Sequence, residues 1–180
     1  HLLQASSGLA WEENYNGPSN ATNMLFKEKD AGLYAAESSP EFEPGEFFEY
    51  SSGTSNIISW VIRQATGDSS YYRMPYEQIF YKAGMYSLIM EPDAGGTFVG
   101  SSFSFATARD WARFGLLYLH DGVWNGERIL PEGWVAYSTT PATTAPQGKY
   151  GAHFWLNAGD AENTANRLYP QCPADMYWAD

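Results

Sequence analysis

The residues best suited to chemistry lie at 50–54, in the run Tyr-Ser-Ser-Gly-Thr just ahead of a predicted helix. The positive end of a helix dipole favours the phenolate of a tyrosine placed there, which makes Tyr50 a candidate proton acceptor. The same pattern is also typical of a half-buried aromatic residue beside a cluster of helix-capping hydroxyls. Local chemistry leaves both interpretations open.

Other common kinds of site are poorly supported by the sequence. His1, His120 and His153 have no spacing that would place two imidazoles on one face, and Cys172 is the only cysteine. The residues therefore predict no metal site and no internal disulfide. Residues 93–96 lack both the lysine and the following helix of a phosphate-binding loop, so they predict a turn. We expect no cofactor.

The element that positions Tyr50 is the most clearly marked helix in the chain. Apolar residues recur at helical spacing from Asn56, and Gly67 follows the last turn. Similar patterns predict helices over 21–29, 32–38, 71–83 and 108–120. In the predicted helix 71–83, Pro75 lies near the first turn and Gly84 follows the last. The predicted helix 108–120 begins at a cap formed by Thr107 and Asp110, and its apolar residues predict a central, buried helix.

Strand signals are short and few. Residues 86–90 and 97–100 flank a turn and predict a small hairpin, Asn125-Gly126 predicts a second turn, and residues 150–157 predict a strand. A short helix is predicted up to Tyr137. These signals indicate one domain over residues 1–180, mainly α with a small β-hairpin, in the α+β class. Arg109 and Asp110 are interpreted as a helix cap and packing pair.

Composition narrows the classes of partner. The 180 residues are 44% hydrophobic and sum to a net charge of −11, which disfavours nucleic acid. No apolar run reaches the roughly 20 residues of a membrane span. The location stays open between the cytoplasm and the periplasm or exterior.

Aromatic residues suggest a second class of function. Seven Trp, 13 Tyr and 10 Phe could line a groove for an apolar, peptide-like or sugar-like ligand. Trp60 and Trp111 lie on apolar helices and are expected in the core. The residues placed at the rim of such a groove are Trp11, Tyr15, Tyr34 and Tyr169. A non-catalytic, aromatic-rich binding or interaction module is therefore an alternative to an enzyme.

Several stretches occur together in one order: His1-Leu2-Leu3 with Ser7-Gly8-Leu9, Tyr50-Ser51-Ser52, Gly84-Met85, residues 107–115, and Trp124-Asn125-Gly126. As a set they resemble the serine β-lactamase and penicillin-binding-protein superfamily, in particular its class C β-lactamase-like branch, which includes esterases and 6-aminohexanoate-dimer hydrolases. The resemblance runs from His1 to about Asn157. It implies a hydrolase that cleaves an amide or ester through an acyl-enzyme.

The resemblance also implies roles for two residues. Tyr50 would be the general acid/base partner that relays a proton between the nucleophile and the leaving group. Ser52 stands where many relatives have asparagine, and its hydroxyl would contact the catalytic lysine or a substrate amide. The serine at this position argues against a true β-lactamase.

Two other motifs of the family depart from its pattern. The nucleophilic serine and its lysine belong to an S-x-x-K motif, which this sequence does not contain. The residues three places before Lys27, Lys29, Lys82 and Lys149 are Met24, Phe26, Ile79 and Pro146. Residues 149–151 superficially resemble a K-T-G motif, but the family places that motif later, just beyond Asp180. We expect Lys149 to be solvated and non-catalytic.

These departures predict that the chain is the helical domain of a larger hydrolase, without most of the α/β sheet domain and inactive alone. The sequence begins within a helical turn and ends in an aromatic strand, as expected of a fragment. Its expected partner in the complete protein is a small-molecule amide or ester. We also expect self-association through the face that the sheet domain would cover.

Overall fold

Polar caps fix where several helices begin in the computed structural model, which describes residues 1–160 and 163–179. Ser19, Asp30, Ser51 and Thr107 each accept a hydrogen bond from a backbone N–H in the first turn that follows. The α-helices are α1 (Asn20–Phe26), α2 (Ala31–Ala36), α3 (Ser52–Thr66), α4 (Asp68–Tyr71), α5 (Ala108–Leu119) and α6 (Trp134–Ser138). Short 3₁₀ turns cover Leu2–Gln4, Pro146–Gly148 and Thr164–Asn166.

The predicted helix after Tyr50 is confirmed as α3. It begins at Ser52, four residues ahead of the predicted start, because Ser51 caps it and the Thr54 hydroxyl donates to the Ser51 carbonyl oxygen at 2.8 Å. Gly67 ends it with φ of 73°, which a glycine adopts at no steric cost. The helices predicted over 21–29 and 32–38 are confirmed as α1 and α2, with slightly shorter bounds.

Helices α2 and α3 pack closely because Gly32 has no side chain. A Cβ atom on Gly32 would lie 2.5 Å from the Cβ of Trp60 and 2.7 Å from the carbonyl oxygen of Asn56. Trp11, Ala21, Met24, Ala31, Ala35 and Ile57 form the buried cluster around this crossing. The cluster fixes α3 against the amino-terminal part of the chain, which bears on the position of Tyr50.

The prediction of a single helix over 71–83 is wrong. This segment contains the end of α4 and a separate π-helical turn, Tyr76–Phe80. Pro75 has no backbone N–H to continue a helix from α4, so the chain starts a new turn there. The segment stops as predicted at Gly84, which has φ of 75°.

Six strands of two residues each form three antiparallel pairs in the described part of the chain: β1 (Ile89–Met90) with β2 (Ser104–Phe105), β3 (Val123–Trp124) with β4 (Glu127–Arg128), and β5 (Trp155–Leu156) with β6 (Tyr177–Trp178). The predicted pairing of 86–90 with 97–100 is wrong, because β1 pairs with 104–105. Residues 97–99 instead bond back across the turn to residues 91–93, through the Pro92–Phe98 bridge and the hydrogen bonds from Asp93 N–H to the Thr97 carbonyl and from Val99 N–H to the Glu91 carbonyl. The predicted turn at Asn125-Gly126 is confirmed, and both residues have positive φ.

Helix α5 is not the buried central helix that its composition predicts. Leu117 is buried, but Trp111 and Leu119 are 42% and 71% exposed, so the helix packs on one face only. Its cap at Thr107 is confirmed. Asp110 is buried. Its carboxylate pairs with Arg113 and accepts hydrogen bonds from Ser87, so the predicted packing pair of Arg109 and Asp110 is wrong.

The resulting architecture is mostly helical with small antiparallel strand pairs. One core cluster forms around Met85, Leu117 and Leu156, and another around Ala5, Ala142 and Tyr150, against which Tyr50 packs. Within the described residues, no helix has both the length and the apolar character needed to cross a membrane.

Candidate active site

Tyr50 lies one residue ahead of the α3 cap, as the sequence predicts. Its ring stacks on Trp155 with ring centroids 5.0 Å apart, and meets the edge of Tyr150 at 5.8 Å. Both partners come from the segment 150–155, more than 90 residues away in sequence. These contacts hold a half-buried phenol at the positive end of a 15-residue helix.

Ser52, the second predicted site residue, is the first residue of α3. Its backbone N–H and its hydroxyl both donate to Oε2 of Glu13, each at 2.9 Å. The same carboxylate accepts the indole N–H of Trp11 and the hydroxyl of Tyr15, both at 2.6 Å. Four donors therefore converge on one side chain at the helix amino terminus, where a negative charge is favourable.

The Glu13 contact limits what Ser52 can do chemically. A serine hydroxyl has one proton, and here it is directed to the carboxylate, so the oxygen has only lone pairs left for other groups. Ser52 is thereby suited to accept a hydrogen bond from an N–H or an ammonium group. Sequence reasoning missed Glu13, because no local pattern links residue 13 to a helix that starts at residue 52.

The two tyrosines nearest Tyr50 and Glu13 remain protonated at neutral pH. Partial burial and the neighbouring Glu13 carboxylate raise the pKa of Tyr15 to about 12. Burial, with smaller effects from Tyr50 and Glu13, raises the pKa of Tyr150 well above its ordinary value. Tyr15 and Tyr150 therefore keep their protons to a higher pH than an ordinary tyrosine does.

Tyr50 and Ser52 open onto the same cleft, of about 480 Å³. The helix α3 forms one wall, and the segment around β5 forms another. Its other lining residues include Leu3, Ser55, Ile58, Met90, Trp134, Tyr150, His153 and Trp155. The cleft is thus largely apolar and aromatic, with hydroxyl groups along the α3 wall.

His153 is a lining residue to which sequence reasoning assigned no role. Its Nδ1 lies 3.4 Å from the Ser55 hydroxyl oxygen, and its backbone has φ of 60° with the N–H donating to the Leu3 carbonyl. Burial lowers the pKa of its imidazole below the ordinary value, because the charged form loses solvation. No sequence signal could have found this pairing across 98 positions.

The remaining candidates lie elsewhere. The Lys149 ammonium sits over the ring of Phe48, 5.1 Å from its centroid, rather than in the cleft. Of the four predicted rim residues, Tyr15 and Tyr169 are about half exposed, whereas Trp11 is buried. Trp111, expected in the core, is exposed.

Across residues 1–160 and 163–179, no three His, Cys, Asp or Glu side chains are grouped to hold a metal ion.

Comparison with known sequences gives a relative with a named activity. The chain is 27% identical over 193 residues to the 6-aminohexanoate-dimer hydrolase of Paenarthrobacter ureafaciens, an alignment that covers 91% of this chain and 47% of that protein. The chain therefore spans about half the length of this relative.

Two solved structures share the fold of this chain. A penicillin binding protein from Bacillus halodurans superposes with a TM-score of 0.59 at 17% identity, covering 86% of this chain and 56% of that one. The D-amino acid amidase of Ochrobactrum anthropi SV3 gives a TM-score of 0.56 at 18% identity, covering 86% and 54%.

The family assignment rests on a match along most of the chain. The family model described as Beta-lactamase matches residues 1–169 of the 180. The match includes Tyr50, Ser52 and the cleft wall formed by residues 150–155. The resemblance expected from the ordered motifs is thereby confirmed, and the chain belongs to the Beta-lactamase family.

Proposed function

We propose that the chain is the helical-domain part of a serine hydrolase, in which Tyr50 relays protons during cleavage of an amide or ester through an acyl-enzyme. The observation that carries the proposal is that Tyr50 and Ser52 line one cleft in a chain of the Beta-lactamase family. Support for an amide substrate comes from two similar proteins, which are named as a 6-aminohexanoate-dimer hydrolase and a D-amino acid amidase.

In the proposed acylation step, the Tyr50 phenolate takes the proton from the hydroxyl of a nucleophilic serine as that oxygen bonds to the substrate carbonyl carbon. The tetrahedral intermediate collapses when the bond to the leaving nitrogen or oxygen breaks, and Tyr50 returns the proton to that atom. In deacylation, Tyr50 takes a proton from water and returns it to the serine oxygen. The Ser52 oxygen accepts a hydrogen bond from the catalytic ammonium or a substrate N–H.

The nucleophile in this proposal belongs to a part of the complete protein outside the 180 residues, because the present sequence has no S-x-x-K motif. The 180-residue chain alone is then expected to be inactive. Incubation with a fluorophosphonate, followed by intact mass spectrometry, tests this point. An adduct on any serine of the chain would show that the assignment of an external nucleophile is wrong.

The main test is Tyr50→Phe in the complete protein, measured as kcat for a 4-nitrophenyl ester. We expect kcat to fall by about two orders of magnitude or more with the melting temperature preserved. The matched control is Tyr86→Phe, which removes a hydroxyl from a ring that is 76% exposed. If Tyr50→Phe retains near-normal kcat, Tyr50 has no role in the reaction and the proposed proton relay is wrong.

A further inference from the structure

Ser55 and His153 form a polar pair in the cleft, next to the proposed site of bond cleavage. Ser55 follows Ser52 by three positions on α3, so their side chains are neighbours on one face of the helix. The Ser55 hydroxyl oxygen is 3.4 Å from Nδ1 of His153, which comes from the opposite wall. The two residues thus join the walls of the cleft about one helical turn from Ser52.

The neighbouring hydroxyls on the α3 wall are already used by the fold. Ser52 donates to Glu13. Ser59 donates to the carbonyl oxygen of Phe98 and shares a 2.7 Å hydrogen bond with Tyr71. In contrast, within the part of the chain that the structure describes, the hydroxyl of Ser55 and the ring of His153 are hydrogen-bonded to each other and to no other group. This pair therefore retains hydrogen-bonding capacity that the fold does not consume.

The pair always retains one donor and one acceptor while the imidazole is neutral. If the serine hydroxyl donates to Nδ1, the ring keeps Nε2–H as a donor and the serine oxygen keeps lone pairs as acceptors. If Nδ1–H donates instead, the serine keeps its proton as a donor and Nε2 becomes the acceptor. Burial lowers the pKa of His153, which favours the neutral ring.

A secondary amide can satisfy both the free donor and the free acceptor of this pair. It presents one N–H donor and one carbonyl acceptor, whereas an ester presents acceptors only and an ammonium group donors only. The surrounding walls are apolar, formed by Ile58, Met90 and Trp134 among others. A site built to satisfy a donor and an acceptor discriminates strongly against groups that lack them, because its own polar atoms are then left unpaired.

We propose that Ser55 and His153 determine substrate specificity in this cleft by binding a secondary amide group on the acyl chain of the substrate, beside the bond that is cleaved. This inference rests on the proposed function, since it assigns a substrate feature to the same site. The backbone of His153 is consistent with this role. It has a left-handed conformation, its N–H donates to the Leu3 carbonyl, and its imidazole contacts Ser55 on α3.

The kinetic test uses the complete protein and two 4-nitrophenyl esters, of 4-acetamidobutanoic acid and of heptanoic acid. Their acyl chains have equal length and differ in whether a secondary amide interrupts the chain. The measured quantity is the ratio of kcat/KM for the acetamido ester to kcat/KM for the heptanoyl ester. Both esters have the same leaving group, so the ratio isolates recognition of the amide.

The variants are Ser55→Ala and His153→Asn. Alanine suits the helix, and asparagine tolerates the positive φ at position 153. We expect each variant to lower the ratio about tenfold, which is the usual effect of losing one hydrogen bond in a buried site. The control Ser69→Ala removes a hydroxyl from the exposed part of α4 and should leave the ratio unchanged. A change of less than twofold in both folded cleft variants would overturn the proposal.

A binding measurement separates this inference from the proposed function. Imidazole ¹⁵N resonances of the complete protein are followed while N-propylacetamide is added, and His153→Asn identifies the signals of residue 153. If neither ester is hydrolysed but these signals shift saturably and Ser55→Ala abolishes the shift, amide binding stands and the hydrolase proposal fails. If the esters are not hydrolysed and the signals do not move, the specificity proposal fails as well.

Discussion

Ser52 and Glu13, separated by 39 positions in sequence, are joined by two hydrogen bonds to a single carboxylate oxygen. The contact ties the first residue of α3 to the amino-terminal segment. It also sets the direction in which the Ser52 hydroxyl donates. A loop residue thereby determines the hydrogen-bonding character of a predicted site residue on the helix.

The first prediction concerns Glu13→Gln. The amide that replaces the carboxylate carries no charge and has only one oxygen for the four donors that converge there, so at least one of them loses its acceptor. We expect a loss of about 1–3 kcal/mol in the free energy of unfolding, measured by urea denaturation. Glu12→Gln, at an exposed neighbouring position, is the matched control. Equal stability of the two variants would mean that the Glu13 network does not stabilise the fold.

The second prediction concerns the contact between Gly53 and Trp11. A Cβ atom at position 53 would lie 2.7 Å from Cζ3 of the Trp11 ring, so Gly53→Ala must displace that ring. We expect a loss of about 1–3 kcal/mol in stability from this overpacking. Gly115→Ala on α5 is the control, because nothing lies within 4 Å of its added Cβ. That variant should gain about 0.5–1 kcal/mol from helix propensity. A neutral Gly53→Ala would show that the helix and the Trp11 loop separate readily.

The third prediction concerns pH and Tyr15. Its folded-state pKa, raised to about 12, exceeds the value near 10 of an unfolded chain. Between these values the unfolded state has released the proton and the folded state has retained it, so the Tyr15 contribution to stability is complete below pH 10 and is lost as pH rises toward 12. We expect the stability difference between the wild type and Tyr15→Phe to shrink over this range. Urea denaturation of both proteins at pH 8, 10 and 11 measures this stability difference. A difference that stays constant with pH would contradict a stabilising effect of the raised Tyr15 pKa.

The sequence near each residue predicts the position of Tyr50 and Ser52 but not a role for them. The apolar periodicity and the hydroxyl cluster place both residues beside a helix start, whereas the proposed roles come from the ordered motifs that resemble a known family. Glu13 and His153 reach the same region from 39 and 98 positions away from their partners. Such contacts depend on how the segments pack, for which the sequence near each residue contains no pattern.

The fold shows the same division. Helix α3 follows from its periodicity and its caps, both of which are local. The local pattern predicts 97–100 as the partner of β1, whereas β1 pairs with 104–105. Each of these strands is two residues long, and two residues contain too little pattern to specify a partner. The apolar composition of α5 predicts more burial than the structure has, because residues such as Trp111 and Leu119 lie outside its packed face. Composition counts those residues but does not show which side of a helix is covered.

The last prediction concerns self-association of the 180-residue chain. An apolar groove of about 630 Å³ lies between the amino-terminal segment and α3, lined by Leu2, Leu3, Leu9, Pro44, Ile57 and Ile58 among others. Contiguous apolar surface of this kind favours association and binds hydrophobic dyes. We expect the weight-average mass in sedimentation equilibrium to rise across a tenfold increase in concentration, with enhanced anilinonaphthalene sulfonate fluorescence. Leu2→Ser, which makes the groove less apolar, should reduce both effects, whereas Leu119→Ser on the exposed face of α5 should not. A constant monomer mass without dye binding would show that the groove is not an association surface.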